Sequence, residues 1–487
     1  MRIRTLVVFV GIMGLITAGC GQKPGVAEQF AGGTLPPGVT VNEEGQLVDE
    51  AGNIVGTTTD TGFTSGLGDS SGGSISGTDT SGVGDGGGEV PVGEAPPSSS
   101  GEAPASGDTT GVTDTTIKIG THAPLTGAAP VPSDSAEKAK DIYFRWLEEE
   151  KKVRIHGRRV EVILKNDNYN PSQAVAVCKE MVEKDKVFIL SGSAGTDQIQ
   201  ACARYAASVG VPYLSAGVTE TGLTGLPLYF ATTMTYNDQG PLLADYLVSD
   251  LGAKGEKNGM LRFDTPNFED AHDGFLKGMR SQGAQVHYDR AVCKCATSTE
   301  AQTVVQEMKT AGIENVNVLT SPVWFLQVLQ AARTQQYTPQ WVGVGITMTF
   351  DTVAAVGCRN GTLDKSKFFA PFPAWIDSNR FDADFQKAVR AFYESSECNS
   401  SGCGDDFIWL GWTASRTLAD ALLLAGRNLS RELFVYELER ARGLKNGINP
   451  ELNFSPDDHF GASEVHVSEA RCSDNRWHTL KSFVSDF

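Results

Sequence analysis

The chain has 487 residues, 40% of them hydrophobic, and a formal charge of −18 at pH 7. The 374 residues from 114 onward are long for a single core and suit two lobes, while the acidity argues against nucleic-acid binding. The charge is uneven: residues 21–113 carry 13 Asp or Glu against one base, Lys23, which leaves −8 for residues 114–487.

Taken in order, the chain opens with Arg2 and Arg4, an apolar run from Leu6 to Ile16, and then Thr17-Ala18-Gly19-Cys20. This reads as a secretory signal, too short for a membrane span. It resembles a bacterial lipoprotein signal, with Thr17 where Leu is usual. The resemblance implies that residues 1–19 are removed and that Cys20 becomes an acylated first residue. Residues 20–113 follow as a Gly/Ser/Thr/Asp-rich stretch in which too little apolar surface is available to offset the entropy of ordering. A flexible tether spanning about 50–60 Å is expected. Gly82-Val83-Gly84-Asp85-Gly86-Gly87 spells a dinucleotide fingerprint, yet no strand precedes it and no helix follows.

From residue 114 helical and strand-like patterns alternate, predicting an α/β fold. Thr116–Thr121 reads as a strand with Ala123–Gly127 as its loop, and Asp134 with Glu137 forms a capping box for a helix to about Glu150. Arg159–Asn166 alternates as a strand. Asn170-Pro171 then opens a helix on which Val175, Cys178 and Val182 recur at helical spacing. The stretch Val187–Thr224 is one βαβ unit: apolar Val187–Leu190, small residues Ser191–Thr196, a helix Asp197–Ser208 capped by Thr196 or Asp197, apolar Val211–Leu214, and small residues again at Ser215–Thr221. Two hydroxyl-bearing loops at neighbouring carboxyl ends of a parallel sheet, one leading into a helix start, favour a bound anionic group such as a carboxylate. The pattern restarts near Asn237, with strands at Gly259–Phe263, Ala284–Tyr288, Val316–Thr320 and Trp341–Gly345, and helices at Gly240–Leu251, near Ala271–Met279, Thr299–Ala311 and Pro322–Gln335. Asp264–Phe268 is a loop in this reading. Late helices at Arg380–Ser395, Phe407–Ala425 and Arg431–Ala441 precede a strand-rich tail, Leu452–Leu480.

The phrases IKIGTHAPLTG, RVEVILKNDNYNPSQAVAVCKEMV, GVPYLSAGVTETGLT, YFATTMTYNDQGPLLADYL and FSPDDHFGASEVHV occur in an order and spacing that resemble the type I periplasmic binding proteins. The resemblance is to the branched-chain amino-acid (Leu/Ile/Val) receptor group of ABC importers. It implies two doubly wound Rossmann-like lobes joined by a three-strand hinge, lobe one at 115–237 and 370–446 and lobe two at 238–369 and 447–487, within a domain spanning 114–487. It also implies a small-molecule solute between the lobes, an ABC permease as partner, a monomer, no cofactor, no metal, and an extracytoplasmic location on a lipid anchor. The family's first binding loop falls at Ser193, Gly195, Thr196 and Asp197, and its second at Gly217 and Thr219. In lobe two Phe268 keeps a ring where the family has Tyr, Ser321 and Pro322 replace tyrosines, and Trp324 is nearby. The acidic partner of an amino acid's ammonium is missing from Val344–Ile346. Either the solute lacks an α-amino group, or Asp264 or Glu269 substitutes.

Without Cys20, eight cysteines remain, an even number that suits disulfides in an exported protein. Cys178 with Cys202, on consecutive helices, and Cys398 with Cys403, around one loop, are the candidate pairs. Cys293-Lys294-Cys295 has no companion at metal-ligand spacing and reads as structural. An enzyme is the main rival class. Ser191-Gly192-Ser193-Ala194-Gly195 lacks the first Gly of a hydrolase elbow, Asp167 reads as part of a loop and helix entry, and His122, the one histidine near the expected cleft, reads as a polar rim residue. A tethered ligand sensor on the same fold is the other alternative.

Overall fold

The computed structural model describes residues 39–41, 46–49, 54–57, 103–127, 133–192, 194–215, 223–345, 350–359, 361–392, 398–399, 402–403 and 406–487. Cys20 and the segment 1–38 lie outside them.

The chain divides into a unit at 1–75 and a unit at 76–487. In the first, strands β1 (Val39–Val41), β2 (Gln46–Asp49) and β3 (Ile54–Thr57) pair as an antiparallel meander, order β1-β2-β3. The tether expectation passed over these strands. Short runs such as Val-Thr-Val and Ile-Val-Gly-Thr are separated by the turn-forming Glu-Glu-Gly and Ala-Gly-Asn, a local signal diluted by the Gly and Ser around it.

In the second unit the chain is already packed before the first long strand. Arg431 is buried, donates to the Val187 and Phe188 carbonyls, and forms an ion pair with Asp108. The strand and helix patterns then resolve as β4 (Thr116–Ala123), α1 (Ser133–Glu149), β5 (Arg159–Asn166), α2 (Pro171–Glu183), β6 (Ile189–Gly192), α3 (Thr196–Ser208), β7 (Tyr213–Ser215) and β8 (Tyr229–Ala231). Among the described residues these strands form one parallel sheet of order β5-β4-β6-β7-β8. Asn170 caps α2 as expected, accepting from Ser172 N at 2.9 Å and Gln173 N at 3.1 Å. The side chains of the expected box Asp134 and Glu137 lie outside the described ones.

The second sheet is built from α4 (Tyr236–Ser249), β9 (Asn258–Phe263), α5 (Pro266–Ser281), β10 (Val286–Val292), α6 (Ser298–Ala311), β11 (Asn315–Leu319), α7 (Pro322–Thr334), β12 (Gln340–Gly343), α8 (Asp351–Arg359) and β13 (Lys367–Ala370). The chain then runs through α9 (Ser378–Phe381), α10 (Phe385–Phe392), β14 (Cys398–Asn399), β15 (Gly402–Cys403), α11 (Asp406–Leu424) and α12 (Arg431–Leu438), and closes with β16 (Val465–Arg471) and β17 (Arg476–Val484). Strand order is β10-β9-β11-β12-β13-β16-β17, parallel through β13 and antiparallel thereafter. Both sheets therefore repeat the doubly wound order in which the first strand lies between the second and the third, the arrangement that opens a crevice at the carboxyl ends of the first and third strands. The fold is α/β, as the alternation predicted.

The chain passes between the lobes after β8, after β13 and before β16. Helices α11 and α12 return to lobe one, α11 against α1 and α12 through Phe434 on Phe188. Phe454 and Phe460 pack on Phe230 and Tyr229, which keeps the chain on lobe one to about residue 460. The sequence expectation missed α8 and β13, and it ran one helix through 380–395. That helix breaks at Asp382, whose Oδ2 accepts from Trp412 Nε1 at 2.9 Å and Arg416 at 2.5 Å while Oδ1 accepts from Asp384 N. Tertiary partners there outweigh helical continuity. Among the described residues no helix is long and apolar enough to cross a membrane.

Candidate functional site

At the carboxyl edge of lobe one, α3 begins one residue earlier than expected. Its N-cap is Gly195, at φ +81° and without a side-chain cap; neither Thr196 nor Asp197 holds that place. The left-handed backbone favours Gly, and a Cβ there would stand 2.3 Å from Gln198 Oε1. Thr196 is buried in the first turn, and Asp197 reaches outward from it. The unbonded N–H groups of this turn and the helix dipole favour negative charge, a need that Asp197 partly meets. Burial, then the charges of Asp197 and Asp167, pushes the neighbouring Tyr169 phenol up to about 12. Ser193, Gly217 and Thr219 lie outside the described residues.

Beneath this edge the structure corrects the reading of His122. It is fully buried rather than on the rim: Nδ1 lies 2.7 Å from Asp167 Oδ2 and Nε2 lies 2.7 Å from Tyr213 Oη. Burial, then the charges of Tyr229 and Asp167, raises the Tyr213 phenol well above its ordinary value. With Nδ1 donating to Asp167 and Nε2 accepting from Tyr213 Oη, all three groups are satisfied. A Cβ on Gly192 would stand 2.0 Å from Tyr213 Oη and 2.8 Å from His122 Nε2, so the end of β6 lies directly on this network. The sulfurs near His122 belong to the Cys178–Cys202 disulfide, the pair expected from the sequence, and are not free thiolates for a metal.

In lobe two, α5 starts at Pro266, so Phe268 stands in a first helical turn and not in a loop. Its ring lies 6.0 Å from that of Tyr236, at the start of α4 where the first crossing enters lobe two. Ser321 caps α7, accepting from Trp324 N at 3.3 Å. Trp324 is buried against Phe263, with Nε1 donating to the Thr297 carbonyl, so its ring is part of the lobe core. Asp264 is exposed, and Glu269 lies 3.0 Å from Arg262 Nη1. Glu269 is thus already committed to a cation of its own lobe.

The two carboxyl edges meet. Asp197 of lobe one forms an ion pair with Lys294, in the turn that follows β10 in lobe two. That turn is closed by a Cys293–Cys295 disulfide, which agrees with structural use of the Cys-Lys-Cys run. A second contact joins the lobes where Phe350 stacks on Phe407 at 4.6 Å and Asp351 N donates to Asp406 Oδ2 at 2.9 Å. A third disulfide, Cys358–Cys472, was not expected; it ties α8 to the turn after β16. Cys398 and Cys403 are register partners in the β14–β15 pair, and their side chains lie outside the described ones. Sequence reasoning also missed Arg262 and Lys294, although Arg262 carried a signal: a charge inside an otherwise apolar strand.

A model of the family described as periplasmic binding protein matches residues 116–475. Among solved structures, a branched chain amino acid ABC transporter from Thermus thermophilus with bound valine superposes with TM-score 0.64 at 16% identity, covering 77% of this chain and 98% of that one. A fatty acid ABC transporter substrate-binding protein from Thermomonospora curvata gives 0.65 at 17% identity, covering 78% and 95%. A solute binding protein of an ABC transporter from R. palustris in complex with benzoate gives 0.61 at 17%, covering 76% and 98%. These likenesses establish the fold. No curated protein gives a significant match.

Proposed function

Because the chain belongs to the periplasmic binding protein family, we propose that it captures a small carboxylate-bearing solute between its lobes and presents it to an ABC permease. The observation that carries this reading is the meeting of two doubly wound sheets at their carboxyl edges, across Asp197 and Lys294. Ligands of such sheets bind at that edge, and lobes linked by three crossing segments close about them as on a hinge.

In this reading, the first turn of α3 and the loops carrying Ser193, Gly217 and Thr219 hold the carboxylate, while Phe268 and Tyr236 form an apolar wall. The protein works outside the cytoplasmic membrane as a monomer, anchored through acylated Cys20 and the segment that follows it. Among the structural neighbours, one holds valine, one holds benzoate and one is named for a fatty acid. Of the two acids that could meet an ammonium, Glu269 is paired with Arg262 and Asp264 is exposed to solvent, which favours a solute without an α-amino group.

The test is a thermal-shift screen against amino acids, aliphatic acids, aromatic acids and amides, since a ligand that binds only the folded form raises its Tm. At least one carboxylate is expected to stabilise the protein, and its uptake is expected to fail when the gene is deleted. Absence of any shift across the panel sinks the reading. Stabilisation with uptake unimpaired in the deletion strain removes import and leaves sensing.

A further inference from the structure

Arg262 is the penultimate residue of β9, in register with Ala291 of β10 and Leu319 of β11. It therefore lies at the carboxyl edge of the lobe-two sheet, next to the switch point between β9 and β11. The residue is 7% exposed. Two of its buried donors, Nε and Nη1, make no hydrogen bond among the described residues. Nη1 does lie 3.0 Å from Glu269 Oε1, without the alignment of a hydrogen bond, and the Glu269 side chain is 47% exposed. Water therefore reaches the Glu269 carboxylate, while the guanidinium is left under-served in a dry place.

Buried guanidinium groups are retained where their donors are met, because unmet buried donors are costly. One donor without any acceptor, Nε, beside a second, Nη1, that meets only a half-exposed carboxylate, marks the position of an acceptor that arrives from outside. The residue preceding Glu269 is Phe268, whose ring faces Tyr236, so an apolar wall borders the same spot. Glu269 also lies 3.7 Å from His272, whose ring is already engaged by Asp289 at 2.7 Å and Asp273 at 3.0 Å.

Resting on the reading of the cleft as a solute site, we propose that Arg262 is the lobe-two anchor for an anionic group of the solute. The solute is then a carboxylate or similar oxyanion that either spans the α3 turn and Arg262 or carries an acid at each end, with no ammonium at the end that enters lobe two. A guanidinium repels the ammonium of an amino acid, whereas its planar donors match carboxylate oxygens.

Calorimetric titration of the full-length protein with benzoate, succinate, octanoate, valine and leucine tests this. One or more of the three acids is expected to bind and the two amino acids to fail. Arg262→Met should weaken the bound acid about a hundredfold, and Arg262→Lys, which keeps the charge but not the fork, about tenfold. Glu269→Gln should tighten binding several-fold by removing the competing carboxylate, an effect that a purely structural ion pair would not give. Should Arg262→Met not fold, the Lys and Gln variants decide. Unchanged acid affinity in the Arg262 variants overturns this assignment and leaves the cleft reading intact, as does valine or leucine as the preferred ligand. Failure of all five to bind the wild type overturns both.

Discussion

His466 lies on β16 with its ring wholly buried between Phe381 and Phe483, and Nε2 faces the Ile448 carbonyl at 2.8 Å. Burial, opposed by that hydrogen bond, lowers its pKa to about 4. The unfolded chain binds a proton here below about 6.5 while the folded chain stays neutral until about 4, so stability falls as pH drops through that window. Asp351 and Asp420 work the other way. Burial raises both to about 6, so the folded form holds their protons where the unfolded form has lost them, and their contribution falls as pH rises from about 4 to 6. Comparing wild type with His466→Phe isolates the histidine. From pH 7 to pH 4 the wild type should lose about 3 kcal/mol relative to the variant in denaturant unfolding. A difference that does not change with pH would show that the ring titrates alike in both states.

At the scale of elements, the disulfides join pieces that packing alone leaves adjustable. Cys178–Cys202 ties α2 to α3 across a sequence separation of 24, and Cys358–Cys472 across one of 114. The longer loop restricts the unfolded chain more, so replacing Cys358 and Cys472 by Ala should cost about 5 kcal/mol and replacing Cys178 and Cys202 about 3.5 kcal/mol. Removing the Cys293–Cys295 pair, two residues apart, should change unfolding little. Guanidinium unfolding of the three paired variants checks the order, and equal losses for the 2-residue and 114-residue pairs would refute it. Most strands and helices were legible because hydrophobic periodicity is local: β5 runs over Arg159–Asn166 as read, and α7 begins at Pro322 as read. The elements that failed were those decided by distant groups. α3 is entered through a glycine N-cap whose left-handed backbone no side-chain pattern announces, and the helix through 380–395 breaks where Trp412 and Arg416 capture Asp382.

At the scale of the whole molecule, Asp197 and Lys294 join the lobes at the mouth of the proposed cleft. Both side chains are about one-third exposed, which limits such a pair to about 0.2–1 kcal/mol. Lys294→Ala should therefore move the ligand-free protein toward an open form and weaken solute binding about two- to fivefold. Small-angle scattering with and without solute reads this as a larger radius of gyration in the ligand-free variant, restored by solute. An unchanged radius would mean that the Phe350–Phe407 stack and the crossing segments alone set the lobe angle.

The sequence by itself determined the α/β class, the two-lobed plan, nearly every long element and the family, because each rests on periodicity, on turn residues and on the order of short phrases along the chain. It also placed Gly195, Thr196, Asp197 and Phe268 near strand ends, where position along the chain and position in the fold coincide. Only the tertiary structure decided that His122 is a buried partner of Asp167 and Tyr213, that Trp324 belongs to a core, and that Glu269 is bound to Arg262. It alone brought Asp197 to Lys294, 97 residues away. The physical reason is common to these cases: a polar side chain takes its role from whatever charge or acceptor the fold brings within about 3 Å, and chain-order patterns carry no record of that distance.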